Sequence, residues 1–307
     1  MDISLILFFI GSCLIFWGSN LLIDNSKSIA TTLGISPIII GLTIIAFGTS
    51  LPELVVSVLA SIKGKSDVVI GNVVGSNISN ITLVLGFILL LKPISIDYAK
   101  VSKDFNYLFL VTSLLILLAV IRLFNLLSGL FLLFLFILFI KMQLSAVKNS
   151  SLTSESSKED FKAMYLLYIL IGILMLGYGS ELFITGAIGI ANLLGIPLII
   201  ISLSVVALGT SLPELITSIV AINKDEPSFV IGNIIGSNII NIVLVLGASL
   251  LINPINNVSV IYMSFIILAL STLVMYLFSR YRKNLSKIDG LILLSIYILF
   301  IYLNFMS

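Results

Sequence analysis

The sequence predicts an all-α membrane protein of about ten transmembrane helices arranged as two inverted five-helix repeats. Three observations carry this expectation. Of the 307 residues, 59% are apolar and only 10% are charged, where a soluble domain of this size carries about 25% charged residues. Apolar runs such as Ile3–Ile23, Phe105–Ile121 and Val258–Phe278 are long enough to cross a hydrocarbon core of about 30 Å as helices. One pattern of residues also occurs twice, 161 positions apart.

Helices are expected near 3–23, 36–62, 68–91, 105–121, 124–141, 163–183, 197–222, 229–251, 258–279 and 288–305. The first apolar stretch follows Met-Asp directly, without a cationic lead, and reads as a retained helix rather than a cleaved signal. The only long polar connection is 142–162, rich in Ser, Lys and Glu, and it reads as a flexible cytoplasmic linker. It divides a first repeat, 1–141, from a second, 163–307.

With a shift of 161, Gly18-Ser19 falls on Gly179-Ser180, and Gly34-Ile35 on Gly195-Ile196. The segment 41–86 falls on 202–247 without a gap, with just over half of the positions identical. Each copy holds about five helices. An odd number returns the second copy from the opposite side of the membrane, which is the inverted-repeat plan of many secondary transporters, with a substrate site at the midplane. Thirteen cationic residues, among them Lys27, Lys92, Lys141, Lys224 and Arg280, collect on one side, against Lys63, Lys65 and Arg122 on the other. The excess of Lys and Arg marks the cytoplasmic side. A multi-pass cell-membrane protein with both termini extracytoplasmic is expected.

Composition also excludes chemistry. A net charge of +2 gives no reason to expect a nucleic-acid partner. Cys13 is the single cysteine, so no intramolecular disulfide can form. There is no histidine, which removes histidine metal ligands, general bases and proton relays together.

Glu53 and Glu214 lie inside otherwise apolar spans at equivalent positions of the two copies. An ionised carboxylate in hydrocarbon costs at least about 2.5 kcal/mol and usually marks function. A protonated Glu serving as a hydrogen-bonded helix contact is the competing reading. No Lys, Arg or His lies in these spans, so a mobile cation is the natural partner. Each acid follows a breaker, Gly-Thr-Ser-Leu-Pro-Glu. Pro52 and Pro213 lack the N–H that the carbonyls of Gly48 and Gly209 would receive in a helix. The chain should kink or unwind through Thr49-Ser50 and Thr210-Ser211. Freed carbonyls at membrane depth are tolerated where they line a cavity or bind something, and beside a carboxylate they form an oxygen-rich place for a hard cation. An ordinary proline kink is the alternative.

The next helix carries Asn72, Ser76 and Asn80, and in the second copy Asn233, Ser237 and Asn241. Positions i, i+4 and i+8 share one helix face, so each set makes a polar stripe towards the protein interior. Amide and hydroxyl oxygens suit Na⁺ and Ca²⁺, although interhelical hydrogen bonding would also explain them. Gly71 and Gly75, and Gly232 and Gly236, read as small surfaces for close helix contact. Glu181, whose repeat mate is Asn20, reads as interfacial.

The blocks GTSLPEL with GNVVGSNISNI, and GTSLPEL with GNIIGSNIINI, resemble the two α-repeats of the cation/Ca²⁺ exchanger superfamily, and most of all its sodium/calcium exchanger branch of prokaryotic size. The aligned segments that hold these blocks, 41–86 and 202–247, cover about a third of the chain. The resemblance implies Ca²⁺ ligation by Glu53 and Glu214 with the carbonyls of Thr49 and Thr210. It implies flanking Na⁺ sites at Ser50, Ser76, Ser211 and Ser237 with the carbonyls of Ala46 and Ala207, and a central polar pair at Asn80 and Asn241. Several members, the potassium-dependent branch included, have an aspartate where Asn241 stands, so the amide argues against K⁺ dependence. The proton-coupled branch resembles GNxxEH, whereas Gly75-Ser76 and Gly236-Ser237 stand here, which favours Na⁺ coupling.

The expected function is therefore Na⁺/Ca²⁺ antiport by alternating access, with the two ions as substrates, the bilayer as solvent, no cofactor and no enzymatic activity. A Ca²⁺/H⁺ or other cation antiporter, a passive Ca²⁺ channel and an intramembrane enzyme using the two glutamates are the alternatives.

Overall fold

A computed structural model of the chain describes residues 3–151, 162–194, 209–255 and 262–306. Eleven helices make up nearly all of it. They are α1 (Ile3–Leu33), α2 (Pro37–Thr49), α3 (Leu51–Ile62), α4 (Ser66–Leu91), α5 (Tyr98–Val120), α6 (Leu126–Ser151), α7 (Met164–Leu193), α8 (Leu212–Asn223), α9 (Pro227–Ile252), α10 (Tyr262–Tyr281) and α11 (Lys287–Met306). Among the described residues, seven helices are long and apolar enough to cross a membrane, or eight if the bent pair α2–α3 is one span. The protein is thus a mostly helical membrane protein. The beginning of the expected helix 197–222 lies outside the described residues.

Helix ends differ from the hydropathy limits. α1 runs on to Leu33, α7 to Leu193 and α6 to Ser151, so residues 142–151 of the expected linker are helical. Hydropathy reports where lipid ends, while a helix continues through polar residues until something stops it. Met, Gln, Leu, Ala and Lys after Phe139 are all good helix formers. What stops α1, α3, α5 and α8 is a left-handed residue. Gly34 (φ 62°), Gly64 (φ 66°), Arg122 (φ 52°) and Asp225 (φ 58°) follow α1, α3, α5 and α8. After α3 the Lys65 N–H reaches the Ala60 carbonyl at 2.9 Å, and after α8 the Glu226 N–H reaches that of Ala221 at 3.0 Å. This is the six-residue closure of a Schellman cap. Gly64 and Asp225 are 161 apart, so the same turn recurs with a different residue.

Helix starts recur in the same way. At α6 the Ser128 N–H donates to Asn125 Oδ1 (3.0 Å) and the Asn125 N–H to Ser128 Oγ (2.9 Å). At α11 the Ser286 N–H and Oγ both donate to Asp289 Oδ2 at 2.8 Å, and Asp289 is also paired with Arg282. Both are capping boxes, which satisfy N–H groups that the first helical turn leaves open.

The chain divides into two compact units, Met1–Leu51 with Gln143–Asn233, and Pro52–Met142 with Ile234–Ser307. Each unit contains parts of both sequence copies. In the first, α1 and α7 cross at glycines. A Cβ on Gly18 would lie 2.7 Å from the Gly172 carbonyl oxygen, and one on Gly172 would lie 2.8 Å from that of Gly18. Lipid supplies no hydrophobic drive for helices to associate, so tight backbone approach at small residues does that work. Gly232 likewise meets Gly41 and Ile38 in this unit.

In the second unit, Gly86 meets Gly290 and Gly129 meets Gly247. Two-residue strands follow the same reciprocity: β1 (Ile94–Ser95) pairs antiparallel with β2 (Asn284–Leu285), and Phe124 bridges Ile255. The mates of Ile94 and Phe124 under the shift are Ile255 and Leu285, so the two copies exchange partners. Gly71 and Gly75 correct the sequence reading. A Cβ at either would meet nothing within 4 Å, and the two line a small apolar cavity with Val74, Phe265 and Phe300.

Gly18→Val should force the α1 and α7 backbones apart and destabilise the detergent-purified protein by about 2–3 kcal/mol, read as an earlier thermal transition. Gly71→Ala should leave that transition where it is.

Candidate functional site

The breaker segments fold alike in the two copies. α2 ends at Thr49, Ser50 leaves helical geometry at φ −85°, ψ 4°, and α3 begins at Leu51, bent by 45° from α2. Ser211 adopts φ −86°, ψ 5° before α8 begins at Leu212. The expected interruption through Thr49-Ser50 and Thr210-Ser211 is therefore present, and it sits at the serine. Proline is the cause. It removes a helical N–H and is at home in the first turn of a new helix.

Each break places its acid at a fresh helix N-terminus. Glu53 and Glu214 lie in the first turns of α3 and α8, and both are 0% exposed. Helix dipoles stabilise a carboxylate there, by up to about 2 kcal/mol when it is partly buried. The kink thus does more than free carbonyls. It makes the acids tolerable as anions. The signal was in the sequence, since Pro followed at once by Glu after a Ser is a helix-start pattern.

In the first unit, Ser50 Oγ donates to Glu214 Oε1 at 3.3 Å, and Thr49 Oγ1 donates to Asn233 Oδ1 at 3.0 Å. Residues from one breaker thereby hold the acid and the first amide of the other copy. The Ala46 carbonyl accepts from the Ser50 N–H (3.0 Å) and from Thr49 Oγ1 (3.3 Å). Thr210 and Ser211 are buried in this unit too. Ala207 lies outside the described residues.

In the second unit, Asn72 Nδ2 donates to the Glu53 carbonyl (3.0 Å) and to Ser57 Oγ (2.8 Å). Ser76, Asn80, Ser237 and Asn241 are all buried here, and α4 packs against the turn Asn241–Leu246 of α9. Both amide atoms of Asn80 and of Asn241 are buried without a hydrogen-bond partner among the described residues. Leaving one such group unmet costs about 1–3 kcal/mol, so four at two equivalent positions call for a ligand or water. Reversing either amide changes nothing, because both of its ends are open.

Three features escaped the sequence reading. α4 passes into π-helical turns at Asn80–Val84, and α9 at Asn241–Leu246, each beginning at the orphaned asparagine. Such turns concentrate at functional sites. Asn77 and Asn238 are buried as well. Each donates to the carbonyl four residues back at 2.7 Å, while its own Oδ1 has no partner among the described residues. Their repetition across the 161 shift was the available signal. A third π-turn, Gly41–Ile45, precedes the first breaker. Glu181 stays exposed.

Buried carboxylates, hydroxyls and amide oxygens, without histidine or thiolate, form a donor set suited to hard cations. Known proteins agree with that chemistry. A family profile described as "Sodium/calcium exchanger protein" matches residues 3–145 and 164–306. The putative antiporter CaxA of Alkalimonas amylolytica is 36% identical, covering 100% of both chains. The sodium/calcium exchanger MaX1 of Methanosarcina acetivorans is 30% identical, covering 99% of each. The solved structure of a sodium/calcium exchanger from Methanococcus jannaschii superposes with a TM-score of 0.86 at 32% identity, over 97% of both chains. The chain belongs to the sodium/calcium exchanger family.

Proposed function

We infer that the protein is a secondary antiporter that exchanges Na⁺ for Ca²⁺ by alternating access around a midplane site containing Glu53 and Glu214. The observation that carries this reading is the pair of fully buried acids, each at the start of a helix that a proline has restarted. Family membership supports cation exchange as the activity.

The surrounding layout is about ten membrane helices in two inverted five-helix repeats, 1–141 and 163–307, connected through 142–162 on the cytoplasmic side. Both termini are extracytoplasmic. Support comes from local geometry that recurs 161 positions on: α4 and α9 start and end at equivalent residues, as do α3 and α8. The exchanged partners of the glycine contacts and short strands also fit two copies related by a twofold axis.

Two carboxylates carry −2, which balances one Ca²⁺. Ca²⁺ takes six to eight oxygens, and the Thr49 and Thr210 carbonyls with water extend the count. Na⁺ is assigned to flanking positions at Ser50, Ser76, Ser211 and Ser237 with the Ala46 and Ala207 carbonyls, and Asn80 and Asn241 lie centrally. Because both ions need the same acids, each displaces the other, and alternating access then converts competition into exchange.

A Na⁺ gradient should drive ⁴⁵Ca²⁺ into vesicles. Glu53→Gln and Glu214→Gln should each weaken Ca²⁺ by about tenfold or more, since ligand charge sets affinity in such sites. Uptake that follows a pH gradient without Na⁺ would instead select proton coupling. With three Na⁺ per Ca²⁺, one charge moves per cycle at about 2.3 kcal/mol per 100 mV. The Ca²⁺ gradient at equilibrium should then change about 50-fold per 100 mV, and a flux indifferent to voltage excludes that ratio. Replacing K⁺ by choline should leave uptake unchanged.

A further inference from the structure

The first unit ties α1 to α8 at two levels. Near the acid, Ser19 Oγ and Thr217 Oγ1 lie 3.2 Å apart, both buried. Further on, Lys224 Nζ meets Asp24 Oδ1 at 2.6 Å, and Lys27 Nζ meets Glu226 Oε1 at 2.6 Å. Contacts advance together along both helices, so α1 and α8 run parallel here. From Ser19 to Asp24 and from Thr217 to Lys224 the rise is about 8–11 Å. Ser26 and Ser218, on the same two helices, are buried, and their hydroxyls have no partner among the described residues. A run of hydroxyls therefore accompanies α1 and α8 from the level of Glu214 to a doubly ion-paired end. That end lies on the cation-rich side of the sequence.

The other copy cannot build the same closure. The mates of Asp24 and Lys27 are Thr185 and Ile188, and those of Lys224 and Glu226 are Lys63 and Lys65. At these positions a threonine and an isoleucine offer two lysines no opposite charge. The fold repeats and the closure does not.

We propose that the Asp24–Lys224 and Lys27–Glu226 pairs are a latch that closes the cytoplasmic approach to Glu214 along α1 and α8. The proposal rests on the exchanger reading above and deepens it by naming what biases one side of the cycle. When the latch is made, α1 holds α8 and the hydroxyl run is shut. When it breaks, α1 can part from α8, and Ser26 and Ser218 come within reach of water. Because the second copy lacks the pairs, conformations closed to the cytoplasm are favoured over their mirror state. All four side chains are partly exposed, so the latch is weak. Exposed pairs of this kind shift an equilibrium about two- to fivefold each, and salt loosens them.

Cysteine accessibility tests this directly, because Cys13 is the only thiol. In a Cys13→Ala background, Ser218→Cys is alkylated by a membrane-impermeant maleimide in inside-out and right-side-out vesicles, with Ser26→Cys as a second reporter should the first not fold. The combined Asp24→Asn and Lys27→Gln change should raise the rate about four- to 25-fold from the cytoplasmic face only. Exchanging the partners in both pairs, Asp24→Lys with Lys224→Asp and Lys27→Glu with Glu226→Lys, should return it towards the starting rate. An unchanged rate, an equal rise from both faces, or no recovery in the exchanged protein overturns the latch. Labelling needs no transport, so the two readings fail separately. Loss of Na⁺-driven Ca²⁺ flux with latch-dependent labelling removes the exchanger, and intact flux with latch-independent labelling removes the latch.

Discussion

A carboxylate withdrawn from water must be met by dipoles or by a counter-ion, and the protein is organised around meeting it. The chain does so by breaking a helix next to each acid. A proline placed one residue before the glutamate stops the preceding helix at Ser50 or Ser211 and starts another. The new N-terminus directs its N–H dipoles at the acid. The break also leaves carbonyls without helical donors. These effects have opposite signs, and that is their use. Helix-end dipoles favour negative charge at the acid, while oxygen donors without helical partners suit a hard cation. The amides of Asn80 and Asn241, each opening a π-turn, are buried with both of their ends unmet among the described residues.

Such a device needs a rigid setting, and a bilayer offers little apolar driving force to build one. Backbone proximity supplies it. Gly18 on Gly172 within the first unit, and Gly86 on Gly290 and Gly129 on Gly247 within the second, let helices approach closely enough for dispersion forces to act over their length. Polar groups at helix ends finish the work. The capping boxes at Asn125 and Ser286 fix where α6 and α11 begin, and left-handed residues fix where α1, α3, α5 and α8 stop.

Much of this was legible in the residues. The 161-residue shift, the position of most helices and the interruption before Glu53 and Glu214 follow from hydropathy and from proline chemistry, which are local. What was not legible depends on partners. Hydropathy could not place the ends of α1 or α6, because polar residues continue a helix as readily as apolar ones. Gly71 and Gly75 have the spacing of a contact surface and yet face a cavity, while Gly18 and Gly172, seven residues from Gly11 and Gly179, make the contact. A glycine announces that an approach is possible, and only the neighbouring helix decides whether it happens. The π-turns at Asn80 and Asn241 leave no periodicity that a short window could detect. The pairing of Asp24 with Lys224 spans 200 positions, beyond any local pattern.

In the proposed function the two acids exist to be neutralised by a travelling ion. Equilibrium Ca²⁺ binding to the purified protein, measured at rising Na⁺, tests it most directly. One Ca²⁺ per chain is expected, displaced competitively and cooperatively by Na⁺, and lost when Glu53 and Glu214 are both replaced by glutamine. Stoichiometric Ca²⁺ binding that survives the double replacement, or that Na⁺ fails to displace, would contradict it.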